Sequence, residues 1–469
     1  MKHKTRKIFT LFFLLFNILI GTSAFAVGDP QHPDIASEKF QNDDDPANKK
    51  WKLNFYGFAE MDMIADSTRS FNDLAGNSNI AQPNTLAGDN GRLTFGVRNS
   101  RIGFKMTAPD FHKIKSSAVL EFDFLGNQPP NVSESAYFTS PSFRIRLMAF
   151  KMETPYVEFL IGQYWQLFGW QPYFHPNTVE IQGVPGQVYQ RAPQFRITHT
   201  FKTDPVNVDL AVAAARPPQR DSFTPDGQGA IKVSFNNRKG IHTAGATGTA
   251  VDPMAFGLSG DIRRFSLPAF TANPTSNVST TGWAGGLDVF IPIIPATLEH
   301  RENGLTFTGS YVRGNGTADF YTNLTGGISF PSLPNPSGLS PAPTYTPDVD
   351  NGLVTFNSSG QLHAIGWQSF ILGLQYYLPP SGRVWISTNY SQMNSHNMSA
   401  LATSPSTTFN ASRWADGNIF WDITHNIRVG GEFAWFHQDY LNNVGANDYR
   451  GQLSFFYLFD LPLLKGSKS

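Results

Sequence analysis

Val157-Glu-Phe-Leu-Ile-Gly-Gln-Tyr-Trp165 and Pro193-Gln-Phe-Arg-Ile-Thr-His-Thr-Phe201 read as two strands, separated by a stretch that has no such pattern. In the second, Phe195, Ile197, His199 and Phe201 share one face and Gln194, Arg196, Thr198 and Thr200 the other. A period of two marks a β-strand whose faces meet different surroundings. The residues between, 166–191, hold Phe168, Trp170, Tyr173 and Phe174, three prolines and several glycines. A long aromatic loop joining two strands of a barrel can fold inward and narrow the lumen. The expected fold class is all-β, a transmembrane antiparallel barrel, with this third loop at its constriction.

The chain ends and composition support a barrel. Lys2, Lys4, Arg6 and Lys7 precede an apolar run over 8–20, and Ala24-Phe25-Ala26 follows as a small-x-small cleavage site. That pattern is a secretory signal over 1–26, and the mature chain is expected to begin at Val27. An uncleaved anchor is the lesser reading, because the run is short for a membrane-spanning helix. After Ala26 there is no uncharged apolar run of about 18 residues. Aromatics make up 14% and charged residues 15% of the chain, against about 25% charged in an ordinary soluble protein. In lipid only helices and closed barrels satisfy every backbone group. The mean hydropathy of −0.26 fits strands that alternate a lipid face with a polar lumen face.

There is no cysteine, in keeping with passage through an oxidising periplasm. The 36 basic residues less the four of the signal leave 32 against 36 acidic, a balance of −4. That is no nucleic-acid footprint.

Residues 27–50 are polar, carry Asp43-Asp-Asp-Pro46 and read as a disordered periplasmic lead-in. From Trp51 to Phe459 come about 16 alternating segments, close to the length of a tilted spanning strand, and a tail over 460–469. Residues 93, 95 and 97 differ in parity from 102, 104 and 106, which places a β-bulge near Asn99-Ser100. Ala118, Leu120, Phe122 and Phe124 are assigned to lipid, leaving Glu121 and Asp123 to the lumen. Phe143, Ile145 and Leu147 are assigned outward, Arg144 and Arg146 inward. The gaps between segments alternate long and short, as extracellular loops and periplasmic turns do. Two gaps, 236–254 and 292–304, break that rhythm. The longest, 314–364, reads as a surface loop. Trp51, Tyr56, Trp283, Tyr311, Tyr376, Tyr377, Tyr390, Trp421, Tyr457 and Phe459 are candidates for interfacial girdles, and Trp385 has lumen parity. A secreted β-sandwich or solenoid would also alternate, but no repeat of 20–50 residues and no linker after Lys50 is present.

Inward parity nominates Arg92, Arg98, Arg101, Lys105, Arg144, Arg146, Arg196, Arg383 and Arg428 as lumen cations and Glu121, Asp123, Glu158 and Glu432 as lumen anions. Trp170, Glu180 and Arg191 join them as constriction residues from the loop. Charges of both signs across a pore make a transverse field that orients dipolar solutes. The bland reading is a set of solvated residues pairing among themselves. Signals for chemistry are weak. Asn394, His396 and Asn397 are neighbours in one loop, whereas catalytic sets converge in space. The 11 histidines show no metal-ligand spacing, and no glycine-rich phosphate loop is present. Neither metal nor cofactor is expected.

Tyr56-Gly-Phe-Ala-Glu-Met-Asp62, Ser100-Arg-Ile-Gly-Phe-Lys105, Glu121-Phe-Asp-Phe124 and Gly162-Gln-Tyr-Trp165 resemble the Gram-negative outer-membrane porins, most of all the DcaP-like channels. The resemblance covers the first six strands, and the rest by architecture. It implies a homotrimeric channel for small hydrophilic, often anionic, solutes in outer-membrane lipid and lipopolysaccharide. It also implies a third loop folded into the lumen, with Arg101 and Lys105 on the wall and Gln163 and Trp165 at the loop base. Two features depart from the family. Residues 27–50 cannot form a coiled-coil stalk, and Phe459 is not terminal. The competing expectations are an adhesin or structural barrel with a closed lumen, and a barrel lipase. The chain is too short for a 22-stranded plugged transporter.

Overall fold

The computed structural model describes residues 50–464 except 72, 76–78, 127–141, 181–182, 244–248, 272, 323, 325–347 and 358. The signal segment and nearly all of the lead-in lie outside the described residues.

The first half of the sheet runs β1 (Lys52–Asp66), β2 (Arg92–Gly96 and Arg101–Thr107), β3 (Lys115–Asp123), β4 (Arg144–Glu153), β5 (Glu158–Trp165), β6 (Arg191–Lys202), β7 (Val206–Ala215) and β8 (Asp226–Thr243). The second half runs β9 (Thr249–Pro268), β10 (Asn277–Ile294), β11 (Leu305–Asn315), β12 (Gly366–Tyr377), β13 (Val384–Ser395), β14 (Phe409–Asp422), β15 (Ile427–Tyr440) and β16 (Gly445–Leu464). Each pairs antiparallel with its neighbour, and β1 pairs with β16 from Leu53↔Leu464 to Asp66↔Arg450. The sheet has 17 segments. Arg92–Gly96 and Arg101–Thr107 both pair with β1 and form one interrupted strand, so the closed barrel has 16. Closure removes both sheet edges and satisfies the backbone in lipid.

The barrel is polar inside and apolar outside. Val212 is 60%, Leu258 55% and Phe150 48% exposed, whereas Asp62, Glu432 and Gln452 are 0% exposed. A water-soluble fold would reverse that order. β1 shows the alternation clearly. Glu60, Asp62, Ile64 and Asp66 are buried while Ala59 and Met61 are exposed.

The expected bulge is present. Phe58 faces Arg101 and Asp62 faces Gly96, so β2 carries one residue more than β1 between those pairs. A second, unexpected bulge lies in β4. Glu121 pairs with Leu147 and Phe122 with Ile145, leaving Arg146 extra. This turns Leu147 inward, where it packs with Val119, Ala149 and Trp165, and corrects its assignment to the lipid face. Parity is counted without bulges, and one inserted residue flips all that follows.

The irregular gap 236–254 is mostly strand. Ile241 pairs with Val251, Gly240 with Asp252 and Lys239 with Pro253. Asn236-Asn-Arg-Lys239 hides the strand because four consecutive polar residues show no apolar alternation. At the other end of the chain, β16 continues past Phe459, with Asp460 paired to Tyr56 and Leu464 to Leu53.

The long loops carry an apolar core of their own inside the barrel mouth. Phe71 and Ile80 from the first loop, Phe168, Val184 and Val188 from the third, and Phe320, Tyr321, Leu324, Leu353 and Val354 from the sixth form one buried cluster. Trp367, Trp414 and Phe436 of the strands complete it. The described part of 314–364 is therefore largely interior rather than a surface loop. Its composition is that of a surface loop, but its few large apolar residues find partners only across the mouth.

Candidate functional site: a basic wall beside an inward loop

The third loop, residues 166–190, leaves β5 and bonds to the inner faces of distant strands. Leu167 and Phe168 donate backbone N–H groups to Gln228 Oε1 of β8 at 3.1 and 3.2 Å. Gly169 N–H donates to Ser259 Oγ of β9 at 2.9 Å. Trp170 Nε1 donates to the Ile231 and Leu258 carbonyls, so this candidate constriction residue is packed on the β7–β10 wall. Further on, Ser387 Oγ and Asn389 Nδ2 of β13 both donate to the Asn177 carbonyl at 2.9 Å. Ser391 Oγ donates to the Pro185 carbonyl at 2.6 Å. Buried backbone groups must find partners, and small polar residues on the lumen faces supply them. The alternating Ser387, Asn389 and Ser391 were the legible signal for this docking stripe.

The turn at Val179–Glu180 is latched to the far wall. Val179 N–H donates to Asn418 Oδ1 at 2.9 Å and to Glu432 Oε2 at 3.2 Å, and Glu180 N–H to the same Glu432 oxygen at 3.1 Å. Arg450 Nη1 of β16 meets Glu180 Oε2 at 2.7 Å, while its other donors take Asp66 at 2.8 and 3.1 Å. Burial, with Glu432 close by, pushes the Glu180 carboxyl up to about 8.

At the base of the same loop stands a basic cluster. Arg144 binds Asp123 through two bonds, at 2.9 and 2.6 Å. Arg146 meets Glu121 at 2.7 Å and Asp123 at 3.1 Å, and Arg101 lies 3.7 Å from Glu121. Arg191 forms no ion pair among the described residues. Its guanidinium stacks 5.0 Å over Trp165 and 5.6 Å over Tyr189, with Nη1 buried and unbonded. Four arginines thus face two carboxylates, an excess of two positive charges. Burial favours the neutral Tyr189 phenol, but Arg146 and Arg191 outweigh it and hold the group at about 8. Arg196 adds a further cation, bonded to Gln194 Oε1 and the Trp165 carbonyl rather than to an acid.

His175 packs against Trp165 and Tyr189 at 5.1 and 5.5 Å between ring centroids. Burial, then His242 and the arginines, holds it down at about 3. The folded chain therefore refuses a proton that the unfolded chain accepts near pH 6.5. Stability from this group is present above that value and falls as pH drops toward 3. The unfolding midpoint is expected to fall between pH 7 and 4, and His175→Phe to flatten that slope. A wild-type slope unchanged in the variant would refute this.

The other nominated residues are dispersed. Arg98 bonds Asp73 of the first loop at 2.7 and 2.8 Å. Lys105 lies 5.1 Å over the Tyr56 ring. Glu158 takes Lys151 at 2.6 Å beside a short turn. Arg383 donates to the Asp422 and Ile423 carbonyls and Arg428 to Asp422 Oδ1 at 2.6 Å, both at the short-turn end and away from the loop base. Tyr56 donates to Glu121 at 3.1 Å, and Tyr377 stacks on buried Trp385. These two tyrosines face inward and leave the girdle. Asn397 spends both side-chain groups on the Gly366 N–H and the Ala364 carbonyl.

Comparison with solved structures places the architecture. The outer-membrane channel DcaP of Acinetobacter baumannii superposes with a TM-score of 0.61 at 16% identity, over 87% of this chain and 98% of that one. The fold is that of the outer-membrane porins. An anion-selective porin from Comamonas acidovorans aligns over 87% of this chain and all of its own, at 10% identity and a TM-score of 0.49. No family model matches the chain, and no curated protein matches it. Within the porin fold, the inner-face acids of β1 were missed by sequence. Glu60, Asp62 and Asp66 alternate there with Ala59, Met61, Met63 and Ala65, which carry the lipid parity.

Proposed function

We propose that the chain is a passive, non-catalytic outer-membrane channel for small hydrophilic solutes, anionic ones preferred, with the third loop setting its constriction. The excess of arginine at the loop base carries this reading. Arg191, without an acid partner among the described residues, offers its charge to a passing anion, and the low-dielectric wall focuses that field. A homotrimer in lipid and lipopolysaccharide belongs to the same proposal and is read by cross-linking.

Single-channel recording of the mature protein under a KCl gradient tests it. The expected reversal potential has the anion-favouring sign. Arg191→Gln is expected to lower the chloride-to-potassium permeability ratio by about twofold or more. A cation-favouring wild type would overturn the preference. The apolar cluster across the mouth favours a second reading, a barrel with its lumen closed whose loops bind a partner. Silent bilayers from heat-modifiable protein would select it.

A further inference from the structure

The lipid-facing surface ends in a defined row on β13–β16. Tyr390, Ala415, Trp435 and Tyr449 pair across these strands and alternate with buried inward residues such as Ser391, Trp414 and Phe436. Two positions nearer the long loops, Gln392, Arg413, His437 and Asn447 pair in the same way. Asp439 accepts from Arg413 Nη1 at 2.7 Å and from His437 Nε2 at 2.8 Å. Trp435 Nε1 donates to Asn447 Oδ1 at 3.0 Å, which fixes the orientation of that amide. The same oxygen lies 2.8 Å from His437 Nδ1. Both ring nitrogens therefore face acceptors, a pattern that suits the doubly protonated ring. The imidazole also stacks on Trp435, with 5.6 Å between ring centroids.

Two further arginines stand at the same edge. Arg313 of β11 lies two positions past Tyr311, which is 46% exposed, and Arg264 of β9 two past Ile262, which is 61% exposed. Both arginines alternate with buried residues and face outward. Among the described residues neither forms an ion pair, and Arg264 Nη2 donates to Ser279 Oγ at 3.2 Å. Beyond this edge, among the described outward strand positions of β9–β15, Asp439 is the one acid. A collar that merely ended the lipid band would carry both signs evenly. On the other side of the barrel, outward residues at the long-loop ends are apolar: Leu93 and Phe95 of β2, and Phe143 and Ile145 at the start of β4. The cations are confined to one side.

We infer that Arg264, Arg313, Arg413 and His437 form a docking surface on the lipid side of β9–β15 for the phosphorylated headgroup of an outer-leaflet glycolipid, the chemistry of lipopolysaccharide. Charge complementarity selects this occupant. The cations sit just past the apolar band, where headgroups lie, and at the long-loop end that faces outside the cell. Guanidinium forks match phosphate oxygens. Arg313 and Arg413 are three strands apart, roughly 14 Å, so separate phosphates of one bulky headgroup can reach both. The inference rests on the outer-membrane placement of the chain and not on its pore, so its failure leaves the channel reading standing.

Mature protein, refolded in detergent free of lipopolysaccharide, is titrated with purified rough lipopolysaccharide, and the bound fraction is read by native mass spectrometry. A complex is expected, and the same glycolipid stripped of its phosphates should bind at least about tenfold more weakly. Arg313→Gln and Arg413→Gln are each expected to weaken binding about fivefold, and the double variant about 25-fold. Lys113→Gln, which removes a cation from the exposed turn between β2 and β3 at the opposite end, is expected to bind as wild type. If Arg413→Gln, which strands Asp439, does not become heat-modifiable, Arg313→Gln decides, because it breaks no ion pair. No binding by folded wild type, or binding undiminished by dephosphorylation or by the arginine variants, overturns the inference and leaves the apolar band as the anchor. Displacement by millimolar inorganic phosphate would overturn it in favour of a soluble anion.

Discussion

Arg450→Met is expected to destabilise the barrel by about 3–5 kcal/mol, the range for removing one partner of a buried ion pair. Arg450 has a side chain 2% exposed, and Asp66 and Glu180 beside it have 0%. Asp448 lies beside the same group, bonded to the Thr68 N–H and hydroxyl at 2.9 and 2.8 Å. One guanidinium thus serves the closing seam of β1 and β16 and the third loop, and its face lies 5.7 Å from Phe71 of the first loop. Methionine keeps much of the volume and none of the charge, so the loss is electrostatic. The unfolding midpoint in urea reads the stability, and open-channel noise reads release of the third loop. Adding Glu180→Gln should change the loss little, because that carboxyl, held at about 8 with the arginine in place, is already neutral without it, and Asp66 is the partner left stranded. A loss under about 1 kcal/mol, typical of an exposed pair, would mean that lumen water screens the cluster.

Arg263→Met is expected to be as severe. Arg263 meets Asp226 at 2.8 Å, Asp261 at 3.0 Å and Asp319 at 2.6 Å, with every side chain nearly inaccessible. Its guanidinium also lies 4.2 Å over the Phe320 ring. Three carboxylates on one cation leave the cluster short of positive charge. Removing the cation strands all three, at a cost of about 3–5 kcal/mol or more. Asp319→Asn should cost far less, because two carboxylates still hold Arg263 and their mutual repulsion falls. Equal losses for the two variants, measured as unfolding midpoints, would show that the cluster acts by packing alone. The described turn at Ala318–Phe320 is pinned to β9 by this contact, so the arginine variant should also free the sixth loop to proteolysis.

Alternation determined the architecture in advance. A chain whose strands show an apolar face of Phe195 and Phe201 against Gln194 and Arg196, with no helix-length apolar run, has one stable arrangement in lipid. Sixteen segments, the bulge at Asn99-Ser100 and the inward Glu121, Asp123, Arg144 and Arg146 were all legible, because a period of two assigns faces residue by residue. What failed did so where the period was broken or irrelevant. The β4 bulge at Arg146 turned Leu147 inward, and the polar run over 236–239 concealed the β8–β9 hairpin. Height along the barrel and contacts across the lumen have no signature in local sequence. That Glu180 reaches Arg450, 270 positions away, and that Arg191 stacks on Trp165 while Arg383 and Arg428 serve a short turn, follow from how the loops cross a closed ring. The seam of β1 and β16 makes neighbours of the chain's two ends, so the acids around Arg450 were set by tertiary structure alone.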